Sequence, residues 1–253
     1  MSEREQRNAS ARPNYFGREV AAHYDADPAS RSDLALVAQT VDFLASLTGG
    51  RAALEFAVGT GRIALPLSAR GIPVHGIDLS PDMVEQLRAK AGADAVVVTI
   101  GDFTSTAVGD GGFGLVYLVY NTIQNVTEQD DQVDTFANAA RHLERGGCFV
   151  VEVEVPQLRR LPPGETARVF AFGDGHFGFD ELDTATQRGV SHHYWTGEGR
   201  SGITSMPYRY VWPAELDLMA RLAGLCLRER WADWSRQPFT AESASHVSVW
   251  EKS

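Results

Sequence analysis

The 253-residue chain reads as an α/β protein built on a doubly wound, mostly parallel sheet. Three observations predict this. Between Ala52 and Val155, short apolar runs alternate with helix-patterned segments, as successive strand–helix–strand units do. Several of those runs are apolar at nearly every position, which strands become when both sheet faces are covered. The first run leads into a glycine turn that opens a helix, Leu54 to Arg62 (LEFAVGTGR), and ligands of such sheets sit at the carboxyl ends of the strands.

Taken in order, residues 1–13 are polar and read as loose. Tyr15–His23 reads as a short helix closed by Tyr24, Asp25 and Pro28. A longer helix over Asp33–Leu47 has Leu34, Val37, Val41 and Leu44 near helical spacing, and Gly49–Gly50 ends it. Ala52–Val58 is the first strand, Arg62–Ala69 a helix, and Val74–Ile77 the second strand, leading to Asp78. Ser80 is an N-cap and Pro81 a favoured first helical residue, which predicts a helix over Pro81–Lys90. Val96–Ile100, Leu115–Tyr120 and Cys148–Val155 are three further strands, with a helix over Gln129–Leu143 before the last.

The pattern breaks after Pro156. Val169–Phe172, Val190–Trp195 and Met206–Val211 read as antiparallel strands rich in aromatics. A helix over Pro213–Leu222 follows, then strands near Leu225–Trp231 and His246–Trp250. The expected organisation is an N-terminal helical cap at 1–50, a core at 51–155, a β-rich insertion at 156–212, and a final helix and strands completing the core sheet at 213–253.

Charge narrows the partners. With 33 acidic against 23 basic residues the net charge is −10, and a polyanion is gripped through Lys and Arg that displace its counterions. Nucleic acid is therefore not the expected partner, and Arg159–Arg160 reads as a solvated loop. The opening MSEREQRNASAR is unlike a signal peptide, and no apolar run approaches the roughly 18 residues of a spanning helix. The expectation is a soluble, cytoplasmic protein with no membrane partner. Cys148 and Cys226 lie in apolar runs and are expected to be buried small hydrophobes in a reducing compartment. No metal is expected; Asp130–Asp131 reads as the acidic first turn of a helix.

The chemistry begins at the glycine turn. Gly59 and Gly61 allow a tight turn and close approach of backbone to a ligand. Gly59-Thr60-Gly61-Arg62-Ile63-Ala64 also satisfies G-x-G-x-x-A, the dinucleotide fingerprint. Three companions sharpen the reading. Asp78 ends the second strand, where a carboxylate accepts from ribose hydroxyls. Asp102 and Phe103 follow the third strand, where a carboxylate takes an adenine amino group and an aromatic lines the ring. Glu55 precedes the turn, where a carboxylate favours a cofactor bearing sulfonium and ammonium charges.

At these residues the chain resembles the class I S-adenosylmethionine-dependent methyltransferases, whose pattern is an acidic residue, then G-x-G-x-G, then acidic residues ending the second and third strands. The resemblance covers Leu54 to Val155, with Ala57 standing where the family has its first glycine. It implies a Rossmann-like, seven-stranded sheet and S-adenosylmethionine as cofactor. It also implies that Gly59 and Gly61 face the methionine moiety, with Ala57 and Arg62 beside them. Glu55 would support the turn or the cofactor's amino group, and Asp78, next to Leu79, would bind the ribose. Met83 would pack on the adenine, Asp102 and Phe103 would hold its amino group and face, and Tyr120 and Asn121 would lie under the methyl donor. The flanking segments are similar in layout to small-molecule N-methyltransferases, including the glycine type and those acting on amino sugars of antibiotics. That likeness makes Tyr15 and Tyr24 a cover over the cofactor and the insertion a lid over the acceptor site.

The expected activity is methyl transfer to N or O of a small molecule, in secondary metabolism, by a monomer or a homodimer. The protein's task is to orient and desolvate the partners, with a base needed for a hydroxyl or a protonated amine. His192 or His193 is the first candidate, because strand alternation points one of the pair inward. Tyr24 is a further catalytic candidate and His176 a second-line base, whereas His75 reads as structural. Asn121, Asn125, Tyr194, Tyr208 and Tyr210 are the candidate acceptor contacts. The competing readings are a non-catalytic S-adenosylmethionine-binding regulator and a nicotinamide-dependent oxidoreductase that uses the G-x-G-x-x-A match.

Overall fold

The five apolar runs of the core become strands β1 (Ala53–Phe56), β2 (Val74–Asp78), β3 (Val96–Ile100), β4 (Phe113–Leu118) and β5 (Leu143–Glu154) in the computed structural model. The structure describes residues 13–25, 33–109, 111–173, 175–197 and 200–253. The insertion supplies β6 (Ala167–Gly173), β7 (His176–Asp183), β8 (Arg188–Gly197) and β9 (Arg200–Arg209), and the C-terminal part β10 (Leu225–Trp231) and β11 (Ser245–Lys252). A seven-stranded sheet runs in the order β10-β11-β5-β4-β1-β2-β3, and β6 to β9 form a separate four-stranded sheet. Within the large sheet β1 pairs in parallel with β2 and β4, β2 with β3, and β4 with β5; β11 alone runs antiparallel to its neighbours β5 and β10. This is the Rossmann-like, mostly parallel sheet that the sequence predicts.

Among the described residues six α-helices accompany the strands: α1 (Arg18–His23), α2 (Leu34–Leu47), α3 (Ala64–Ser68), α4 (Pro81–Arg88), α5 (Gln129–His142) and α6 (Pro213–Leu222). Their starts follow local chemistry. Asp33 accepts from the Ala35 amide at 2.9 Å to cap α2, and the Ser80 hydroxyl accepts from Met83 at 3.2 Å to cap α4 ahead of Pro81. Strand periodicity divides the central side chains between two cores. Ala53, Leu115 and Tyr117 pack with Phe43 and Leu44 of α2, while Leu54, Val116 and Leu118 pack with Phe136 of α5 and Leu216 of α6. That sandwich is why β1 and β4 are buried at every position. Among the described residues no helix is long and apolar enough to cross a membrane.

The insertion differs from the sequence expectation. It has four strands, not three, because β7 (HFGFDELD) carries glycine and acids that mask a strand signal. β9 starts at Arg200 rather than Met206, through a Gly- and Ser-bearing stretch stabilised by ten register pairs with β8. Helix α3 starts at Ala64 because the preceding residues are spent in the glycine turn. Strand β5 starts five residues earlier than Cys148, where Leu143 pairs with Phe113. Cys148 is buried as expected, but Cys226 is exposed. β10 is the last strand of the sheet, and there Leu225 turns inward while Cys226, next along the pleat, turns to solvent.

Candidate active site

A cleft of about 400 Å³ opens at the carboxyl ends of β1 to β4, lined by Ala57, Gly59, Asp78, Leu79, Met83, Asp102, Phe103 and Tyr120, with Tyr15, Phe16 and Tyr24 across it. Its floor is the turn after β1. Ala57, Gly59 and Gly61 all have left-handed backbone, with φ of 55°, 53° and 78°. A Cβ on Gly59 would lie 3.3 Å from Met83 Cε. Gly61 serves packing rather than the cleft, since a Cβ there would come within 2.8 Å of Leu87 Cγ on α4.

Ala57 holds a conformation that costs an L-residue about 1–2 kcal/mol, against the roughly 0.5–1 kcal/mol of chain entropy that glycine carries. Ala57→Gly is therefore expected to stabilise the fold by about 0.5–1 kcal/mol, read as a rise of a few degrees in Tm. A lower Tm would mean that packing of the Ala57 methyl on the core outweighs the backbone strain.

Asp78 does two things at once. It is 7% exposed, its Oδ2 accepts from the Gly59 amide at 2.7 Å, and its Oδ1 accepts from the Ser80 amide at 2.8 Å. Burial pushes its carboxyl above the ordinary range, and the two amides oppose that shift. Asp102 accepts from the Thr104 amide at 2.9 Å, and Phe103 stacks on Phe56 at 5.6 Å. Glu55 does not line the cleft. It sits beneath the turn, 3% exposed, and accepts from the Tyr117 hydroxyl at 2.9 Å. Burial pushes its carboxyl up to about 8, with the Tyr117 hydrogen bond opposing and Asp78 reinforcing. Tyr117 is β4's register partner to Glu55, a pairing that no local signal reveals.

The fourth strand end is also strained. Tyr120 and Asn121 have φ of 57° and 59°, held by β5: Glu152 Oε2 accepts from the Tyr120 amide at 3.0 Å. Asn121 Oδ1 accepts from the Glu154 amide at 2.7 Å, and its Nδ2 donates to Glu154 Oε1 at 3.0 Å. Glu152 and Glu154 thus belong to the site, although as acidic residues in an alternating strand they carry no distinctive sequence signal. The Arg62 guanidinium lies between the rings of Tyr24, at 5.0 Å, and Tyr120, at 4.8 Å. Burial pushes the Tyr120 phenol up to about 12, against the pull of Arg62.

The N-terminal segment is tied down over this end. Asp25 pairs with Lys90 at 2.6 Å and accepts from the Thr60 hydroxyl at 2.7 Å, and the Ser80 hydroxyl donates to the Phe16 carbonyl.

A second cavity, of about 380 Å³, lies between the insertion sheet and the ends of β4 and β5. Asn121, Asn125, Tyr208 and Tyr210 line it, together with Glu154, Arg168, Asp180 and Ser191. Asn125, His193 and Met206 border both cavities. Alternation along β8 separates the histidine pair. His193 faces the cavities, whereas His192 lies on the opposite face, stacked on Phe179 at 4.7 Å with Nδ1 2.8 Å from the Ser205 hydroxyl. Tyr194 shares that outer face, against Phe177 and Phe179. Neither His192 nor Tyr194 lines either cavity. Gly178 and Gly189 shape the inner face, because a Cβ on them would strike the rings of Phe170 and Tyr208. His75 is bonded to the Thr99 hydroxyl at 2.8 Å, away from both cavities. Among the described residues no cluster of His, Cys, Asp and Glu could hold a metal ion.

Comparison with known proteins gives this arrangement its context. Residues 53–147 match a family model described as a methyltransferase domain. The chain is similar along nearly its whole length to the CcbJ methyltransferase from Streptomyces caelestis, with 36% identity, a TM-score of 0.83, and coverage of 95% of this chain and 98% of that one. The chain belongs to the class I S-adenosylmethionine-dependent methyltransferases. Cypemycin N-terminal methyltransferase from a Streptomyces species is 28% identical over 213 residues, covering 80% of this chain and 84% of its own. The S-adenosylmethionine-bound structure of CalS10 from Micromonospora echinaspora, described as an amino pentose methyltransferase involved in calicheamicin biosynthesis, shares the fold at 17% identity. Its TM-score is 0.64, over 95% of this chain and 98% of that one. This methyltransferase takes S-adenosylmethionine as its cofactor, so the G-x-G-x-x-A match does not mark a nicotinamide site. The cleft fits that cofactor: Gly59 brings bare backbone to its floor, and the Tyr120 hydroxyl is buried in its lining with no hydrogen-bond partner.

Proposed function

We propose that this methyltransferase methylates an amine nitrogen of a small-molecule acceptor held in the insertion-side cavity, with His193 as the proton acceptor. The observation that carries the reading is the position of His193 on the border shared by the two cavities. A base must reach the acceptor and the methyl donor together, and this is the histidine so placed among the described residues.

S-adenosylmethionine supplies a methyl group already activated by its sulfonium. The chain's task is to hold, align and exclude water. Asp78 accepts from the ribose, Asp102 takes the adenine amino group, and Met83, Leu79 and Phe103 flank the ring. Ala57 and Gly59 present backbone to the methionine moiety, Gly61 packs the turn against Leu87, and Arg62, paired with Asp25 at 3.8 Å, brings positive charge toward the carboxylate there. Glu55 acts through the turn rather than by contact. Tyr15 and Tyr24 cover the cleft, and Tyr120 and Asn121 bring the strained strand end beneath the reacting carbon. Asn121, Asn125, Tyr208 and Tyr210 then meet the acceptor.

Glu154 and Asp180 favour nitrogen over oxygen, since carboxylates in the acceptor cavity attract an ammonium. The descriptions of two relatives support the same reading, one an N-terminal methyltransferase and the other an amino pentose methyltransferase involved in calicheamicin biosynthesis, and a role in secondary metabolism goes with it. Free Cys148 and Cys226 suit the cytoplasm. The test is to incubate the protein with S-adenosylmethionine and matched pairs of amine- and hydroxyl-bearing small molecules, then locate the added methyl by NMR. N-methyl products from the amines, and none from the hydroxyl analogues, are expected. Methyl on oxygen overturns the reading.

A further inference from the structure

The insertion-side cavity carries both signs of charge. On the inner face of the insertion sheet one cross-strand row runs Arg168 on β6, Asp180 on β7, Ser191 on β8 and Met206 on β9, each the register partner of the next. All four line the cavity, and among the described residues Arg168 is the one Arg or Lys that does so. Arg168 is half-buried and makes neither an ion pair nor a hydrogen bond among the described contacts. Other partly buried arginines of the fold are tied down, Arg209 to Glu215 at 2.7 Å and Arg230 to Asp217 at 2.6 Å. We propose that Arg168 binds a carboxylate of the acceptor, so that the acceptor is amphoteric, with the amine to be methylated at one end and an anion at the other. This rests on the reading of the insertion-side cavity as the acceptor site.

Asp180 does not occupy the guanidinium. Residues directly opposite on neighbouring strands have Cβ atoms about 4.5–5.5 Å apart, near enough to pair, yet Arg168 acts on the Asp180 carboxyl through space, with no hydrogen bond between them. Burial pushes that carboxyl up and the Arg168 charge pulls it back. Burial also pushes the Tyr208 phenol up, with Asp180 reinforcing and Arg168 again opposing. The positive charge is therefore felt from β7 to β9, over the floor of the cavity, and its fork of donors is left for a ligand. A carboxylate is the group that such a fork holds best, by paired N–H···O contacts.

The sheet also sets the length of the acceptor. The amine belongs at the junction with the cofactor cleft, where Met206 borders both cavities. From β9 to β6 is three strand spacings, about 14 Å at roughly 4.8 Å each, and the arginine arm covers part of that span. The carboxylate thus lies several bonds from the reacting nitrogen rather than on the adjacent carbon, and an α-amino acid is too short. Between the two ends the wall is apolar. The rings of Phe170 and Tyr208 rest against the sheet at Gly178 and Gly189, where a Cβ would strike them, and both rings line the cavity. A flat apolar spacer fits there.

The probes are para-(aminomethyl)benzoate and para-(aminomethyl)benzamide, which share the amine and the spacer and differ in charge at the far end. Calorimetry measures their binding to the full chain saturated with S-adenosylhomocysteine, in the wild type, Arg168→Gln and Arg168→Lys. The wild type is expected to bind the acid about 10-fold more tightly than the amide, the low end for a charge-assisted contact because Arg168 is only half-buried. Arg168→Gln erases that preference and Arg168→Lys keeps part of it, while S-adenosylhomocysteine affinity reports that each variant is folded. Glycine, which carries the same two groups too close together, shows no preference over glycinamide. Equal binding of the two benzoyl probes by the wild type, failure of both to bind included, overturns the proposal without recourse to any variant. A preference that survives Arg168→Gln overturns it too. Turnover with S-adenosylmethionine separates the two readings: N-methylation of acid and amide at equal kcat/KM keeps the amine reading and removes the role of Arg168. Binding of the acid through Arg168 with no methyl transferred does the reverse.

Discussion

His193→Ala is expected to lower kcat with an amine acceptor by about 100-fold or more, the usual contribution of a positioned base, while affinity for S-adenosylmethionine stays within about a factor of two. The reason is location. The imidazole borders the cofactor cleft, but the adenosine contacts proposed above come from Asp78, Met83, Asp102 and Phe103. Its neighbour supplies the control. His192 is one residue away yet lies on the outer face, stacked on Phe179, so His192→Ala should leave kcat nearly unchanged. Steady-state kinetics of the two variants, with calorimetry for the cofactor, separates them. Equal losses from both would mean that the insertion sheet had been damaged as a whole, and an active His193→Ala would remove the base.

Asp78→Ala is expected to weaken binding of S-adenosylhomocysteine at least about 100-fold, since the loss combines the charge-assisted contact proposed to the ribose with disorder of the turn. The structure explains why the effect should exceed that of one ligand contact. The carboxylate accepts from the Gly59 and Ser80 amides, so its removal leaves two buried donors unpaired, at a cost of about 1–3 kcal/mol each. Tm should therefore fall together with affinity. Asp78→Asn keeps the volume and one acceptor oxygen, and is expected to bind with intermediate strength. Calorimetric titration of both variants checks this. An unchanged affinity in Asp78→Ala would overturn the assignment of Asp78 to the ribose.

Much of the core was legible because its determinants are local. Ser80 and Pro81 define a helix start through capping and a fixed φ, and α6 and β10 match their expected limits residue for residue. The insertion was harder to read. β7 is missing from the strands expected of the sequence, because Gly178 removes a strand-favouring side chain where the Phe170 ring needs room. For Glu55 the sequence leaves open whether it supports the turn or reaches the cofactor's amino group, because the strand pairing that puts Tyr117 beside it joins residues 62 positions apart. Cys226 looked buried because its neighbours are apolar, and only its place on the outermost strand exposes it.

The amino-acid sequence by itself determined the alternating strands and helices, the glycine turn, and the acidic residues at successive strand ends. These follow from backbone preferences and from a period of two or 3.6 residues, which act over a few positions. Only the tertiary structure decided which of His192 and His193 faces the two cavities, that Arg62 lies between Tyr24 and Tyr120, and that Ser191 and His176 meet at the ring of His193. Strand register is the physical reason. A shift of one residue exchanges every side chain between the two faces of a sheet, and register is settled by long-range pairing that no short stretch of the chain contains.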